Sequence, residues 1–393
     1  MVTSLSPLNS GFRRSPVDRI LDRDSTVRRM DWVLNGAVLG LLVMGTFLVW
    51  SATRQRLIDS GGDPQSFLKK HLFNVVIGIA LGAVTMLLDY RLLRAYAPIV
   101  YGISVLGLVA VLSPLGSTIN GAHSWIVLPL GFSVQPSEFA KVALVVGVAV
   151  LLGERQNGET APPTSDLLLA GAFAAVPIVL IMAQPDLGTT MVIGFMLLGM
   201  LAVAGVSGRI LGGLLVTALI VVGVAIKVGV LSSYQVSRFA AFANPSLDPR
   251  GVGYNTGQAR IAIGQGGVFG QGLFRGTQTN GKFVPEQHTD FIFTVAGEEL
   301  GLIGATVLIV LMGVVLWRTL RIARRAEDLF GLLAATGIAC WFTFQAFENI
   351  GMTLGITPVT GLPLPFVSYG GSSMFANLMA IGLLQNVHTK RYV

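Results

Sequence analysis

The stretch PEQHTDFIFTVAGEELGLIGATVLIVLMGVVLW, residues 285–317, joins a cluster of titratable side chains to a long apolar run. The apolar run begins at Phe291 and continues to Trp317, and a helix needs only about 20 residues to cross a bilayer. Ionisable groups at the end of a membrane helix are costly, and they usually persist because they serve chemistry or a substrate path. The stretch therefore predicts a membrane helix with a functional site at its beginning.

The composition is that of a membrane protein. Hydrophobic residues make up 52% of the 393 residues and charged residues only 12%, whereas charged residues make up roughly 25% of soluble domains. A soluble chain of this length would form two or three domains, but this composition favours one membrane domain. The 48 glycines suit close packing of membrane helices, and the single Cys340 excludes an internal disulfide bond.

Ten apolar runs are long enough, or nearly long enough, to cross a bilayer. They predict an all-α polytopic membrane protein with ten transmembrane helices and a large extracytoplasmic loop between the seventh and the eighth. The runs lie near residues 32–52, 72–88, 95–113, 139–153, 167–183, 187–206, 210–230, 291–317, 329–351 and 372–388.

The distribution of Lys and Arg predicts the orientation. With ten spans both termini lie on one side, and that side carries 16 of the 27 basic residues against 9 on the other. By the positive-inside rule both termini are cytoplasmic, so residues 1–30 form an Arg-rich cytoplasmic segment and residues 31–393 the membrane domain. The net charge of +7 then reflects topology and contact with anionic lipid. The basic residues are too dispersed for a nucleic-acid partner.

Two predicted extracytoplasmic loops, residues 114–138 and 231–290, are long, whereas the predicted cytoplasmic connections are short. The glycine-rich part of the second loop, residues 251–281, lacks the flanking strand and helix of a nucleotide-binding loop. It predicts instead a close-packed re-entrant segment, buried in protein or lining a wet cavity. This arrangement is typical of an enzyme or receptor that works at the outer face of the membrane.

Six motifs carry a resemblance to a known family. In order along the chain they resemble the SEDS proteins (shape, elongation, division and sporulation), which are bacterial membrane proteins. The resemblance covers the whole chain after its Arg-rich first thirty residues, and the ending GMTLGITPVTGLPLPFVSYGGSS is more similar to the RodA, cell-elongation branch than to the FtsW, division branch. The motifs are NGAHSWI (120–126), QPSEFAK (135–141), QPDLGTT (184–190), PEQHTDFIF (285–293), EELG (298–301) and PLPFVSYGGSS (363–373).

The resemblance implies a function. It implies a peptidoglycan glycosyltransferase that polymerises lipid II, an undecaprenyl-diphosphate-linked substrate, at the outer face of the cytoplasmic membrane of a bacterium. The activity would serve cell elongation and rod shape. The implied partners are a class B penicillin-binding protein and other proteins of the cell-elongation complex.

The cluster at residues 285–290 can supply the required base. Joining a sugar hydroxyl to an anomeric carbon, with a diphosphate leaving, requires a carboxylate to accept the proton and positive groups to stabilise the developing charge. Asp290 matches the essential aspartate of the family and is the predicted catalytic residue. If a helix starts at Pro285, Glu286 lies one turn away on the same face, and repulsion between the carboxylates raises one pKa. The alternative is that both residues only cap and solvate a helix end.

Glu138 and Lys141 stand three residues apart and predict an ion pair on one face of the fourth span. In the functional interpretation Lys141 faces the cavity and binds the diphosphate as a point charge, held there by Glu138. In the alternative the pair is structural, and the diphosphate is then met by loop cations such as Arg260 or Lys282, or by a bound metal.

Trp125 is either a plain interfacial aromatic or a residue of the substrate cavity, as the family resemblance implies. Relatives commonly carry Arg immediately before this tryptophan, whereas this chain has Ser124. If that arginine normally binds phosphate, another cation must replace it, and His123 is the nearest titratable neighbour.

Three further groups complete the predicted site region. His288 is a candidate substrate ligand or proton shuttle, Asp186 is expected to cap a helix, and Glu298 and Glu299 are expected to accept from buried donors. The histidines are too scattered for a protein-bound zinc, so no metal ligand and no cofactor are predicted. A magnesium ion bridging the diphosphate needs only one or two carboxylates and stays open.

Two rival functions fit a polytopic protein. A transporter or lipid flippase tends to show internal repeats and paired interrupted helices, and the two halves of this chain show no convincing repeat. A non-catalytic scaffold of a cell-wall synthesis complex leaves no clear motif, so the sequence does not separate it from the enzyme.

Overall fold

The computed structural model describes residues 28–88, 90–119, 122–128, 132–154, 161–228 and 251–390, together with Gln235, Arg238 and Phe242. Nearly all of the predicted cytoplasmic segment 1–30, and most of residues 229–250 in the second long loop, lie outside the described residues.

The described chain forms thirteen helices and one three-stranded sheet. The first group of helices is α1 (Trp32–Asp59), α2 (Ser66–Leu87), α3 (Tyr90–Leu112), α4 (Pro136–Gly153), α5 (Thr164–Met182), α6 (Leu187–Val203) and α7 (Gly208–Val228). The second group is α8 (Val252–Gly266), α9 (Thr277–Asn280), α10 (Ile292–Glu299), α11 (Gly301–Arg324), α12 (Leu329–Leu354) and α13 (Gly371–Lys390). The strands are β1 (Gly116–Ile119), β2 (Ala122–Leu128) and β3 (Phe132–Val134).

Eight of the described helices are long and apolar enough to cross a membrane, namely α1 to α5, α7, α11 and α12. Two of the ten predicted spans do not meet both conditions. Helix α6 is apolar but only 17 residues long. Helix α13 is long enough but is not apolar enough, because it contains buried amides such as Asn377, Gln385 and Asn386. The prediction of a helical, multi-pass membrane protein is therefore confirmed, whereas the count of ten spans is not.

Helix α13 tolerates these amides because they have backbone partners inside the protein. Asn386 donates its side-chain N–H groups to the carbonyls of Thr85, Met86 and Leu88 at the end of α2, at 3.1, 2.9 and 2.7 Å. The two helices pack so closely that a Cβ at Gly382 would lie 2.1 Å from the carbonyl oxygen of Gly82. A buried polar group with such partners is not costly, so hydropathy alone underestimates how deeply α13 is buried.

The predicted span 291–317 is not one helix. Helix α10 ends at Glu299 and α11 begins at Gly301, where φ is +65° and a Cβ would lie only 2.3 Å from the backbone nitrogen of Gly270. The first backbone amides of α11 donate hydrogen bonds to the neighbouring loop: Leu302 N donates to the Gly267 carbonyl at 2.9 Å. The continuous span was therefore a wrong prediction, and the helix that can cross the membrane is α11.

Both long loops contain regular structure. The segment 114–138 folds into the antiparallel sheet β1-β2-β3, in order, and runs directly into α4 at Pro136. The glycine-rich part of the second loop contains α8, which packs against α10 and α12. Among the candidate spans α4 and α12 are the most deeply buried, and they pack against each other. The predicted site residues are arranged around this central pair.

Candidate functional site

Asp290 lies at the end of a turn rather than inside a helix. Residues 285–291 form successive turns, and α10 begins only at Ile292. Glu286 adopts φ +51°, and its carbonyl accepts from the backbone nitrogens of Thr289 and Asp290 at 3.2 and 3.1 Å. The two carboxylates are thus one turn apart, as predicted. The predicted helix starting at Pro285 is wrong, because the left-handed conformation at Glu286 interrupts it.

The protein raises the pKa of the Asp290 carboxyl, which lies outside the membrane-spanning helices, to about 7. The largest cause is burial, which disfavours the charged form. Arg238 lowers this pKa by its positive charge, while the charges of Glu286 and Asp186 raise it. The predicted repulsion from Glu286 is therefore present, but burial has the larger effect. The residue as a whole is half-buried.

Asp290 and Arg238 are both neighbours of Gly361. Gly361 adopts φ +80°, which suits a residue without a side chain. A Cβ built there would lie 3.3 Å from Asp290 Oδ2 and 3.6 and 3.7 Å from the two Nη atoms of Arg238. The Asp290 carboxylate and the Arg238 guanidinium therefore both lie close to Gly361. Arg238 belongs to the second long loop and was not predicted as a site residue.

The loop that contains Gly361 is fixed to the Asp290 turn by backbone contacts. Asn349 of α12 donates its side-chain amide to the Asp290 carbonyl and to the Leu362 carbonyl, each at 2.7 Å. Tyr369 N donates to the His288 carbonyl at 2.9 Å. The position of the carboxylate therefore depends on residues that follow it by 59 positions or more.

A small cavity of about 10 Å³, room for about one water molecule, lies beside Arg238. Its lining is mostly apolar and comes from the start of α6 and from the segment before Gly361. The lining residues are Pro185, Leu187, Gln235, Arg238, Pro358, Val359 and Thr360.

Three of the sequence motifs converge next to this cavity. Asp186 caps α6, as predicted, by accepting from Thr189 N at 3.0 Å and Thr189 Oγ1 at 2.8 Å. Gln135 donates its side-chain amide to Asp186 Oδ2 at 3.2 Å and its backbone N–H to Ser372 Oγ at 2.9 Å. The QPSEFAK, QPDLGTT and PLPFVSYGGSS motifs thus meet in space.

Lys141 and Glu138 form the predicted ion pair, but deep between helices. Lys141 has no exposed side-chain surface, and its Nζ lies 2.9 Å from Glu138 Oε1 and 3.1 Å from Gln345 Oε1. The same Nζ is 4.6 Å from the ring centroid of Trp341, whose Nε1 also donates to Gln345 at 2.6 Å. Both partners of the ion pair lie on α4, and the pair packs against Gln345 and Trp341 of α12. This geometry is that of a structural ion pair.

Trp125 lies half-buried on β2, opposite Ser117 of β1. The strand register shifts between Ser117 and Thr118, so Ser124 has no opposite residue, as in a β-bulge. Ser124 is buried, and its hydroxyl has no hydrogen-bond partner among the described residues. His123 contacts Thr118 Oγ1 through Nδ1 at 3.0 Å. The position where relatives commonly carry Arg is therefore enclosed in this chain.

His288 packs in an aromatic cluster instead of standing free. Its ring centroid lies 5.2 Å from that of Phe67 and 5.6 Å from that of Tyr369. Burial, assisted by the charge of Arg56, lowers the pKa of His288, and Glu286 opposes this shift. A neutral imidazole is therefore favoured at neutral pH, which suits a hydrogen-bonding group better than an anion-binding cation.

Glu298 and Glu299 accept from buried donors, as the sequence predicted. Glu298 Oε2 accepts from Thr279 N at 3.0 Å and Thr279 Oγ1 at 2.7 Å, and its Oε1 accepts from Gln278 N at 2.6 Å. Glu299 accepts from Ser51 Oγ of α1 at 2.6 Å. In the described part of the chain, no three His, Cys, Asp or Glu side chains are grouped to hold a metal ion.

Comparison with known proteins identifies relatives along almost the whole chain. A family profile described as a cell cycle protein, covering FtsW, RodA and SpoVE, matches residues 32–393. The probable peptidoglycan glycosyltransferase FtsW of Trichlorobacter lovleyi is 37% identical over 374 residues, with 94% of this chain and 95% of that protein covered. The peptidoglycan glycosyltransferase MrdB of Escherichia coli K12 is 36% identical over 358 residues, with 90% and 92% covered.

Solved structures show the same fold. One chain, from work on the structural coordination of polymerization and crosslinking by a peptidoglycan synthase complex, has a TM-score of 0.74 at 31% identity and covers 92% of this chain and 98% of that one. The rod shape determining protein RodA of Thermus thermophilus has a TM-score of 0.67 at 31% identity, with 93% and 98% covered.

Proposed function

Because the chain belongs to the SEDS family of cell cycle proteins and is a peptidoglycan glycosyltransferase, we propose that it polymerises lipid II with Asp290 as the general base. The observation that carries this proposal is the Asp290 carboxylate, which lies beside Arg238 and Gly361 and has its pKa raised to about 7 by burial. A general base is most effective when its pKa lies near the working pH.

The proposed reaction is a single displacement at the anomeric carbon of the donor. The acceptor hydroxyl oxygen forms the new bond to that carbon while its proton passes to the Asp290 carboxylate. The bond between the anomeric carbon and the diphosphate oxygen breaks, and the diphosphate leaves with the electron pair. The base therefore supplies proton acceptance, and the leaving group requires a nearby positive charge.

The proposed location is the outer face of the bacterial cytoplasmic membrane, with both termini cytoplasmic. The positive-inside distribution of Lys and Arg supports this orientation. A divalent ion such as Mg²⁺ bridging the diphosphate stays a prediction, since such an ion needs only one or two carboxylates.

We assign the chain to cell elongation within this family. The C-terminal stretch from residue 351 to residue 373 supports the elongation branch, while the named relatives include both FtsW and MrdB proteins. Restoring rod shape or septation in depleted cells would separate the two assignments. Rescue of septation but not of rod shape would overturn the elongation assignment.

The proposed partner is a class B penicillin-binding protein. The similarity to a chain of a peptidoglycan synthase complex that coordinates polymerization and crosslinking supports such a partner. Copurification of the two proteins, and faster glycan synthesis by the pair than by this chain alone, are the expected results. The names of the relatives favour an enzyme over a flippase or a non-catalytic scaffold.

The deciding experiment is polymerisation of lipid II by the purified protein, alone and with its penicillin-binding partner. Asp290→Asn removes the proton acceptor with almost no change of shape, and we expect it to abolish glycan synthesis. The matched control is Asp63→Asn, which changes an exposed aspartate bound to Lys69 between α1 and α2. A folded Asp290→Asn protein that makes near-normal glycan would exclude Asp290 as the base.

A further inference from the structure

The reaction needs a positive group at the leaving diphosphate, and the cations first considered for it have other neighbours. Lys141 is enclosed between α4 and α12, where Glu138 and Gln345 bind its ammonium group. Lys282 lies 2.7 Å from Asp59 at the end of α1. Arg260 stands beside Gly355, where its Cζ is 3.6 Å from a Cβ built on that glycine.

Arg238 occupies the position that the chemistry requires. Its two Nη atoms and the Asp290 Oδ2 atom all lie close to the position that a Cβ of Gly361 would occupy. The adjoining cavity is lined mainly by apolar residues, among them Pro185, Leu187 and Val359. Electrostatic attraction is stronger where water is scarce, so a cation in these surroundings stabilises an anion more than an exposed loop cation does.

We propose that Arg238 binds the diphosphate of the polyprenyl-linked donor beside Asp290, and that Gly361 leaves the space for it. This inference rests on the proposed function. The planar guanidinium presents several N–H donors in a fixed fork, which matches two phosphate oxygens at once. When the bond between the anomeric carbon and the diphosphate breaks, the negative charge develops on an oxygen that Arg238 already contacts, while the proton goes to Asp290.

The first experiment measures binding without any reaction. The full-length protein in nanodiscs is titrated with undecaprenyl diphosphate, with undecaprenol and with inorganic diphosphate. We expect tight binding of the first ligand, which carries both tail and diphosphate, and weaker binding of the other two. Arg238→Gln should weaken undecaprenyl diphosphate binding about 10- to 100-fold, as expected for a lost charge-assisted contact, and leave undecaprenol binding unchanged.

The control is Arg324→Gln, which removes the same charge from an exposed arginine in the last turn of α11. It should leave undecaprenyl diphosphate binding unchanged. Arg238→Lys should recover part of the affinity, since it keeps the charge without the fork. If Arg238→Gln and wild-type protein bind undecaprenyl diphosphate equally, the proposal is overturned.

A second pair of variants keeps the test valid if Arg238→Gln does not fold. Gly361 and Gly355 have similar left-handed conformations, with φ of +80° and +76°, and a Cβ at each would meet an arginine at 3.6 Å. Alanine at either glycine introduces comparable backbone strain. Only Gly361→Ala, however, places a methyl group against both Asp290 and Arg238. Gly361→Ala should weaken undecaprenyl diphosphate binding at least tenfold more than Gly355→Ala, and equal effects would overturn the proposal.

The binding assay tests the proposed diphosphate site, and the polymerisation assay tests the proposed function, so either proposal can be overturned without the other. Arg238-dependent binding of undecaprenyl diphosphate by a protein that cannot polymerise lipid II would overturn the proposed function and support the binding site. Normal polymerisation by Arg238→Gln with unchanged diphosphate binding would overturn the site and leave the proposed function in place. Inorganic diphosphate binding as tightly as the lipid form would show that the site recognises free diphosphate, and would overturn the lipid-linked assignment.

Discussion

The side-chain amide of Asn349 donates a hydrogen bond to the backbone carbonyl of Asp290 at 2.7 Å. The same amide holds Leu362, the neighbour of Gly361, at an equal distance. One buried residue of α12 therefore positions both Asp290 and the loop that contains Gly361. Asn349 acts through the backbone and not through the carboxylate, so it is a positioning residue.

Asn349→Ala should lower the turnover of lipid II about tenfold or more, because the Asp290 turn loses its contact with the 361–362 loop. The binding of undecaprenyl diphosphate should change much less, since Arg238 is retained. The control is Asn35→Ala, which removes a half-buried amide that accepts from Gln385 Nε2 at 2.8 Å near the start of α1. Equal losses of turnover in the two variants would indicate a general loss of stability and not a positioning role.

The activity should depend on pH through Asp290. The base must be ionised, and its pKa is raised to about 7, so turnover should rise as the pH increases through about 7 and be lost below it. Glu286→Gln removes a charge that raises this pKa, so the midpoint should move to lower pH. Arg238→Gln removes a charge that lowers it, so the residual activity should show a higher midpoint.

Initial rates across a pH series, measured with the wild-type protein and both variants, test this prediction. The opposite directions of the two shifts matter most, because a general effect on stability would move both midpoints the same way. Asp63 is not among the charges that act on the pKa of Asp290, so Asp63→Asn should leave the midpoint unchanged. A midpoint that does not respond to Glu286→Gln would contradict the electrostatic coupling.

Lys141→Met should act first on folding. It leaves Glu138 buried without its cation, and such a loss typically costs about 3–5 kcal/mol. We expect a strongly reduced yield of folded protein and a lower melting temperature. Adding Glu138→Gln should recover part of the stability, because the buried negative charge is removed as well. A Lys141→Met protein that melts like wild type but has lost turnover would instead place Lys141 in the reaction.

The topology can be tested by cysteine labelling. After Cys340→Ala, a single cysteine replaces either Arg275 in the α8–α9 connection or Arg324 at the end of α11, both of which are exposed. Membrane-impermeant reagents added to spheroplasts should label the first position and not the second. The reverse pattern would invert the topology and would be incompatible with a reaction at the outer face.

Much of the fold could be predicted from the sequence, because long apolar runs leave few alternatives to membrane helices. The break between α10 and α11 was missed, although Gly301 is a residue type that commonly ends a helix. The apolar residues on both sides hid it. The sheet in residues 114–138 was also missed, because its strands are short.

The candidate site was only partly predictable. Asp290 could be identified from its place beside an apolar run and from the family motif. Its neighbour Arg238 is 52 positions away, and no spacing in the sequence connects the two residues. For Lys141 the spacing predicted the ion pair with Glu138 but not the side of α4 on which the pair lies. That side is decided by packing against Trp341 and Gln345, which only the folded protein shows.

The contacts of the Asp290 turn also determine when the site is completed during synthesis. The groups that hold the turn, from Asn349 to Tyr369, belong to the C-terminal part of the chain. A chain emerging from the ribosome therefore inserts its early helices before the anchors for Asp290 exist. Nascent and C-terminally truncated chains consequently lack the contacts that position this aspartate. We therefore expect glycan synthesis only after the final helices have entered the bundle.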